Sequence, residues 1–300
     1  MKCLDKILLC IMITIWSCKQ EPVSHSFFIA GPQFTGIIGE QGEKVWDSGK
    51  PGARDGYVLS NGHILVCWAD EVKEYDKDKK EVFNFKPQGE SIELGTAVRL
   101  DNGNTLITES GAIPRLIEVD PNGVVQVSVP LQPETDNKHM QTRMARKLQN
   151  GNYLVPHLLA FVVHEYSPSG EIIKSFRTDI PEIGIRDSSN WPFTAIRLAN
   201  GNTLVSLTHG NKIVEFDKDG AVVWRLSNQE LDTPAFQDPC GLQRLPNGNT
   251  VVASYGAKDS VKLFEINGSN EIVWRFDDFN VHEFQILTTN GVPLAGIPLK

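Results

Sequence analysis

The chain has 300 residues, with 29 basic and 37 acidic side chains and a formal charge of −8. That acidity argues against a nucleic-acid partner, which a basic surface would serve. With 40% hydrophobic residues and no Pro/Ser-rich linker or charge block, the sequence is suited to one large core in a single unit.

In chain order, Lys2 and Lys6 precede an apolar run at residues 7–16, which is too short to span a bilayer. The pattern predicts a signal peptide over residues 1–17. Ile-Trp-Ser-Cys at 15–18 resembles a bacterial lipobox, in which Cys18 takes a diacylglycerol thioether and becomes the first mature residue. Two acyl chains suffice for stable anchoring. The expected location is therefore the bacterial envelope, on the periplasmic or surface side of the outer membrane, with the lipid as the only membrane contact. Ordinary secretion, with Cys18 an incidental thiol, is the alternative. Lys19, Gln20, Glu21 and Pro22 open a polar tether over 18–26, and the folded body is expected over 27–300. Loss of residues 1–17 removes Lys2, Lys6 and Asp5 and brings the formal charge to −9. Of five cysteines, only Cys67 and Cys240 then remain unmodified, so no disulfide framework is expected.

An internal repeat decides the fold class. Asn-Gly pairs recur at 61–62, 102–103, 150–151, 200–201, 247–248 and 290–291, so that successive glycines lie 41, 48, 50, 47 and 43 residues apart. Periods of roughly 40 to 50 residues built from short strands indicate propeller blades. Residues 197–204 read Arg-Leu-Ala-Asn-Gly-Asn-Thr-Leu, and 99–106 and 244–251 are closely similar. Asn-Gly between apolar runs is a tight hairpin. A third run then ends in an acidic turn at 217–220 and a fourth follows at 221–224, so each unit supplies four antiparallel strands, a to d. Trp224 and Trp274 recur in strand d, with Phe83 at the same place, and their expected job is packing between blades. Arg99, Arg197 and Arg244 recur three residues before the Asn of the pair, which assigns them to blade architecture.

The ends complement each other. Residues 36–46 keep the Gly-to-Trp spacing of a c–d unit without an upstream hairpin, and 282–287 read as a strand a without its c and d. A six-bladed all-β propeller closed by both ends follows, with strand b of the closing blade supplied by 27–30 or by 292–296. Such pairing removes an open edge.

Leu-Pro-Asn-Gly-Asn-Thr at 245–250, with Gly-x-x-x-Trp at 220–224, resembles the propellers of the quinoprotein-like superfamily, and among them the arylsulfotransferase-like proteins. The resemblance covers nearly all of 27–291. It implies the propeller fold. Pyrroloquinoline quinone dehydrogenases of that superfamily have eight blades and a vicinal cysteine pair, neither of which is found here, so that cofactor is not expected.

Chemistry is expected where blades differ, on the face where strand a begins and strand b ends, here called the upper face. Arg54, Asp55, Glu93, His139, Gln141, Arg143, Asn190, Trp191, Asp238, Cys240, His282 and Glu283 lie at the starts of strands a. Trp68, Glu109, His157, His209, Asn211 and Tyr255 lie at the ends of strands b. Four of the seven histidines converge there, which predicts a site of a few polar groups on apolar walls. The main expectation is a small polar ligand, a carbohydrate or glycoside, stacked on Trp68, Trp191 and Tyr255, with Arg54, Asp55, Glu109, Gln141, Asn190, Asn211, Asp238 and Glu283 fixing its polar groups.

Two enzymatic readings share this face. The arylsulfotransferase resemblance implies group transfer with His139 as nucleophile and Arg143 and His209 on the sulfate oxygens, although Gln141 and His157 replace the Asn and Arg of that family's pattern. A divalent metal on His139, His209 and His282 with Gln141, similar in kind to that of oligogalacturonate lyases, would acidify the proton beside a uronate carboxylate for a base such as His157. The non-catalytic alternative is a monomeric scaffold that presents a flat face to another envelope protein.

Overall fold

The computed structural model describes residues 22–89, 92–258 and 261–300. The expected signal peptide and Cys18 lie outside the described residues. Six antiparallel sheets form a propeller. Blades 1 and 2 begin with strands Asp55–Val58 and Glu93–Arg99, and blade 3 with the short strand Arg146–Lys147. Blades 4 and 5 begin with Asn190–Arg197 and Pro239–Arg244. In each, strands b, c and d follow in chain order and lie in that order across the sheet.

The Asn-Gly-Asn repeat makes the a–b turn by a definite set of bonds. Asn200 Oδ1 accepts from the amide of Asn202 at 3.0 Å, Gly201 donates to Leu198 O, and Gly201 has φ 87°, where a side chain would be strained. The second Asn reaches across its own blade: Asn202 donates to Glu215 at 2.6 Å and Asn152 to Glu165 at 2.7 Å, both on strands c. That same glutamate receives a cation from the next blade. Arg197 meets Glu165 at 2.8 Å, Lys147 meets Glu118 at 2.5 Å, and Arg99 meets Glu74. Arg99 and Arg197 are thus latches between neighbouring blades, with Lys147 in the same place in blade 3, which accounts for their repetition without any role in chemistry, whereas Arg244 donates to Gly248 O of its own turn.

Between each pair of adjacent blades lies a separate apolar core. Trp224 packs against Leu242, Val252 and Phe264 of blade 5, Phe83 against Leu94 and Ile107 of blade 2, and Trp274 against Phe27 and Phe284 of the closing blade. The strand-d aromatics therefore pack between blades, as expected.

Closure is made by both ends. Glu283–Thr289 supplies strand a, His25–Ala30 strand b, Thr35–Ile38 strand c and Lys44–Asp47 strand d. The ladder starts at His25, inside the stretch assigned to the tether. Val292–Pro293, the other candidate for strand b, instead pairs on the inner side of strand a as a fifth strand. The borrowed strand is also latched to blade 5: His25 Nε2 lies 2.6 Å from Glu265 Oε2, and its ring stands edge-on to Trp274.

Candidate functional site

The six cores between blades are joined by a seventh apolar group on the upper face. Met144 and Leu158 of blade 3, Phe193 of blade 4 and Cys240 of blade 5 are buried together, with Met140, Trp191 and Tyr255 partly buried over them. This floor has a cationic side. Arg143 is buried, its terminal nitrogens donate to the carbonyls of Thr142 and His139, and its Nε has no partner among the described residues. Its charge is met by main-chain dipoles rather than by a carboxylate. Burial, and Arg54 beside it, lower its pKa to about 10. Its guanidinium carbon lies 6.0 Å from the Phe193 ring centroid.

Arg54 itself is engaged. It pairs with Glu93 at 2.5 Å, donates to Leu94 O, and lies 3.3 Å from His139 Nδ1. Burial alone would raise the Glu93 carboxyl, but Arg54 and His139 outweigh it and hold the pKa down at about 2. His282 faces Tyr255 at 4.3 Å and Phe193 at 5.5 Å between ring centroids. Burial first, then Arg143, Arg54 and His139, push its pKa down to about 3, so it is a neutral donor–acceptor at pH 7.

On the far rim Trp191 stands edge-on to His209 at 4.3 Å, and His209 Nδ1 lies 3.2 Å from Asp238 Oδ1. Asn211 Oδ1 accepts from the amide of Asp238. The backbone here is unusual: Met144, Phe161, Ser189, His209, Asn211 and Asp238 all have positive φ without being glycine. Such strain gathers where function over-determines a backbone. Met144 also explains why strand a of blade 3 is short: Thr142 pairs with His157 of strand b, and residues 143–145 then leave the ladder and bring Arg143 over the floor.

Several expected site residues are not on this surface. Trp68 is buried and donates to Lys50 and Pro51 carbonyls, which removes it as a stacking platform. Glu109 is buried against Arg115. Gln141 is spent on the backbone of Gly111 and Thr135, and Asn190 on that of Ile183 and Gly184. His157 has no exposed surface: Nε2 meets Tyr166 Oη at 2.9 Å, and burial, with His164 beside it, lowers its pKa to about 3. It is a core residue, not a base open to a substrate. Asp55 and Glu283 lie lower, within the channel, wholly buried and facing Arg146.

The histidines do not assemble as the metal reading requires. Among the described residues no three His, Cys, Asp or Glu side chains form a group that could hold an ion. His139 and His209 turn instead to different carboxylates, Glu93 and Asp238. That separation also leaves His209 without the place beside His139 that group transfer would give it.

A cavity of about 450 Å³ opens on the opposite, hairpin face, lined by Leu198, Gln243, Arg244, Leu245 and Ile286 and by residues 294–299. Leu198, Arg244 and Leu245 are repeat positions, so the space is left by blade architecture under the last segment.

A family model described as Mal s 1 allergenic protein-like matches residues 28–233, more than half of the chain. The chain belongs to the Mal s 1 allergenic protein-like family. The propeller fold that the resemblance implied is present. No curated protein matches the sequence. Among solved structures, a protein of unknown function from Bacteroides caccae is 22% identical, with 91% of this chain and 100% of that one covered and a TM-score of 0.77. Virginiamycin B lyase from Staphylococcus aureus is 14% identical over 80% of this chain and 82% of the other, with a TM-score of 0.57. A streptogramin B lyase is 12% identical over 88% and 91%, with a TM-score of 0.61. At such identities the likeness is one of fold. Within this member of the Mal s 1-like family, Arg54, Glu93, His139, Arg143, Trp191, Phe193 and His209 fall inside the matched span, and Tyr255 and His282 beyond it.

Proposed function

We propose that the upper face binds a small anionic ligand with a flat apolar part, an acidic sugar or an aryl glycoside of one, and that the mature protein carries this face on a lipid at Cys18 in the bacterial outer membrane. The observation that supports it is Arg143, a buried guanidinium that among the described residues has main-chain acceptors only and no partner at Nε, set beside an apolar floor. A carboxylate entering between Arg143 and Arg54 would gain charge-assisted bonds in a site of low polarity. Tyr255 and Trp191 offer ring faces and edges to a sugar or aryl group. Neutral His282 can donate to or accept from a hydroxyl. The enzymatic readings rank second, because His157 is enclosed and His139, His209 and His282 do not form one group.

Calorimetric titration with phenyl β-D-glucuronide and phenyl β-D-glucoside tests the reading. The two differ by one carboxylate, and the glucuronide is expected to bind at least about tenfold more tightly, the equivalent of roughly 1.4 kcal/mol. Arg143→Met should abolish that preference, and Tyr255→Ala should weaken both. Equal affinity for the two glycosides, or no binding of either, would contradict it. Cys18→Ala is expected to move the protein from the membrane to the soluble fraction, and retention of that variant on membranes would contradict the anchor.

A further inference from the structure

Beneath the upper face the channel holds a closed group of four charges. Asp55 accepts from Arg146 at 3.1 Å and from Thr96, and Glu283 lies 3.8 Å from Arg146 and 3.4 Å from Thr194 Oγ1. The fourth charge comes from far along the chain. Residues 294–300 cross the hairpin face and dip into the channel at Lys300. Its Nζ lies 3.4 Å from Glu283 Oε1, 3.5 Å from Asp55 Oδ1 and 4.0 Å from the centroid of the Tyr57 ring. The Lys300 side chain and both carboxylates are wholly buried.

The middle of the segment is less enclosed. Ile297 is 84% exposed, and the 450 Å³ cavity separates residues 294–299 from blades 4, 5 and the closing blade. Its other ties are main-chain bonds, Arg244 N to Leu299 O at 3.0 Å, Leu294 N to Leu287 O, and Arg146 Nε to Lys300 O at 2.8 Å, and the partly buried Leu299 and Leu294, which pack against the cores on the two sides of blade 5. The ammonium is the only charged side chain of residues 294–300, and it is the group that the channel encloses completely. Two carboxylates and an aromatic face make a good cage for a primary ammonium, which needs several acceptors and gains from a ring face. Removal of one partner of a buried ion group leaves an uncompensated charge.

We infer that the channel contains a primary-alkylammonium site, built from Asp55, Glu283 and the face of Tyr57, that Lys300 fills from within the chain and that accepts a free alkylammonium when Lys300 is withdrawn. The site is separate from the upper-face ligand reading and does not depend on it.

The test uses the full mature chain with Lys300→Ala, which removes three methylenes and the ammonium. Its Tm is expected to fall by roughly 6 to 20 °C. n-Propylammonium chloride should raise it saturably toward the parent value, whereas sodium or tetramethylammonium chloride at equal concentration should not. The double variant Lys300→Ala with Glu283→Gln, which keeps the charges balanced, should lose the response. Should Lys300→Ala fail to fold in sodium chloride, the same expectation is read as the yield of folded protein on dilution from denaturant, recovered with n-propylammonium and not with the other two salts. A Lys300→Ala protein that melts with the parent, or that answers all three salts alike, would overturn the inference.

Discussion

Deleting residues 22–30 is expected to abolish the cooperative melt of the whole ring rather than loosen one blade. That stretch supplies strand b of the closing blade, between strand a at Glu283–Thr289 and strand c at Thr35–Ile38. Phe27 belongs to the core shared with blade 5 and Phe28 to the core shared with blade 1, so the deletion opens two cores at once. Burial of three large apolar side chains such as Phe27, Phe28 and Ile29 contributes about 1.5–3 kcal/mol each. Their sum rivals the whole stability of a domain, about 5–15 kcal/mol. A point version keeps the strand: Phe28→Ala should cost about 3–5 kcal/mol in denaturant titration, whereas Val292→Ala, at an exposed position, should change stability by less than about 0.5 kcal/mol. A truncated protein with a cooperative melt near that of the parent would show that the ends do not share a blade.

Stability should also fall as pH drops from about 6.5 toward 4.5 through a buried histidine. His157 is wholly buried with a folded pKa of about 3, against an unfolded value near 6.5. Over that window the unfolded chain takes up a proton that the folded chain refuses, so stability is full above the unfolded pKa and is lost as pH falls toward the folded one. Integrated between pH 6.5 and 4.5, one such histidine accounts for about 2 kcal/mol. Glu93 and Glu265 are held below the ordinary carboxylate range, and their contributions disappear only at lower pH. His157→Gln can keep a bond to Tyr166 and cannot titrate. The parent is expected to lose several degrees of Tm between pH 6.5 and 4.5 and the variant distinctly less, so parallel curves would contradict the assignment.

The fold was legible because the repeat writes its own structural chemistry. Asn-Gly spells the turn, and the strand-d aromatics, with Arg99 and Arg197 three residues before the Asn of theirs, spell the contact between blades. The glutamates that receive those arginines, Glu74 and Glu165, stand two residues before the turn that ends strand c, as do Glu118, Glu215 and Glu265, a recurrence indexed by that turn and not by the Asn-Gly pair. The upper face was legible as a place but only partly as a set of residues. His139, Arg143, Trp191, His209, Tyr255 and His282 gather there, whereas Trp68, Glu109, Gln141, Asn190 and His157 turn inward. Position at a strand end fixes the level of a residue in the blade, but one step of register decides whether its side chain meets solvent or a neighbouring sheet. Met140, Met144, Leu158 and Phe193 read as ordinary core residues, and only the departure of residues 143–145 from the ladder makes them a floor. Lys300 was hidden for the opposite reason. It belongs to no repeat, and its partners Asp55 and Glu283 lie 245 and 17 positions away.

The most direct test of the upper face as the ligand site is a crystal structure of the mature body soaked with phenyl β-D-glucuronide. The expected density puts the carboxylate between Arg143 and Arg54 and a ring against Tyr255 or Trp191. Density confined to the cavity by Leu198 and Arg244 on the hairpin face, with the upper face empty, would contradict it.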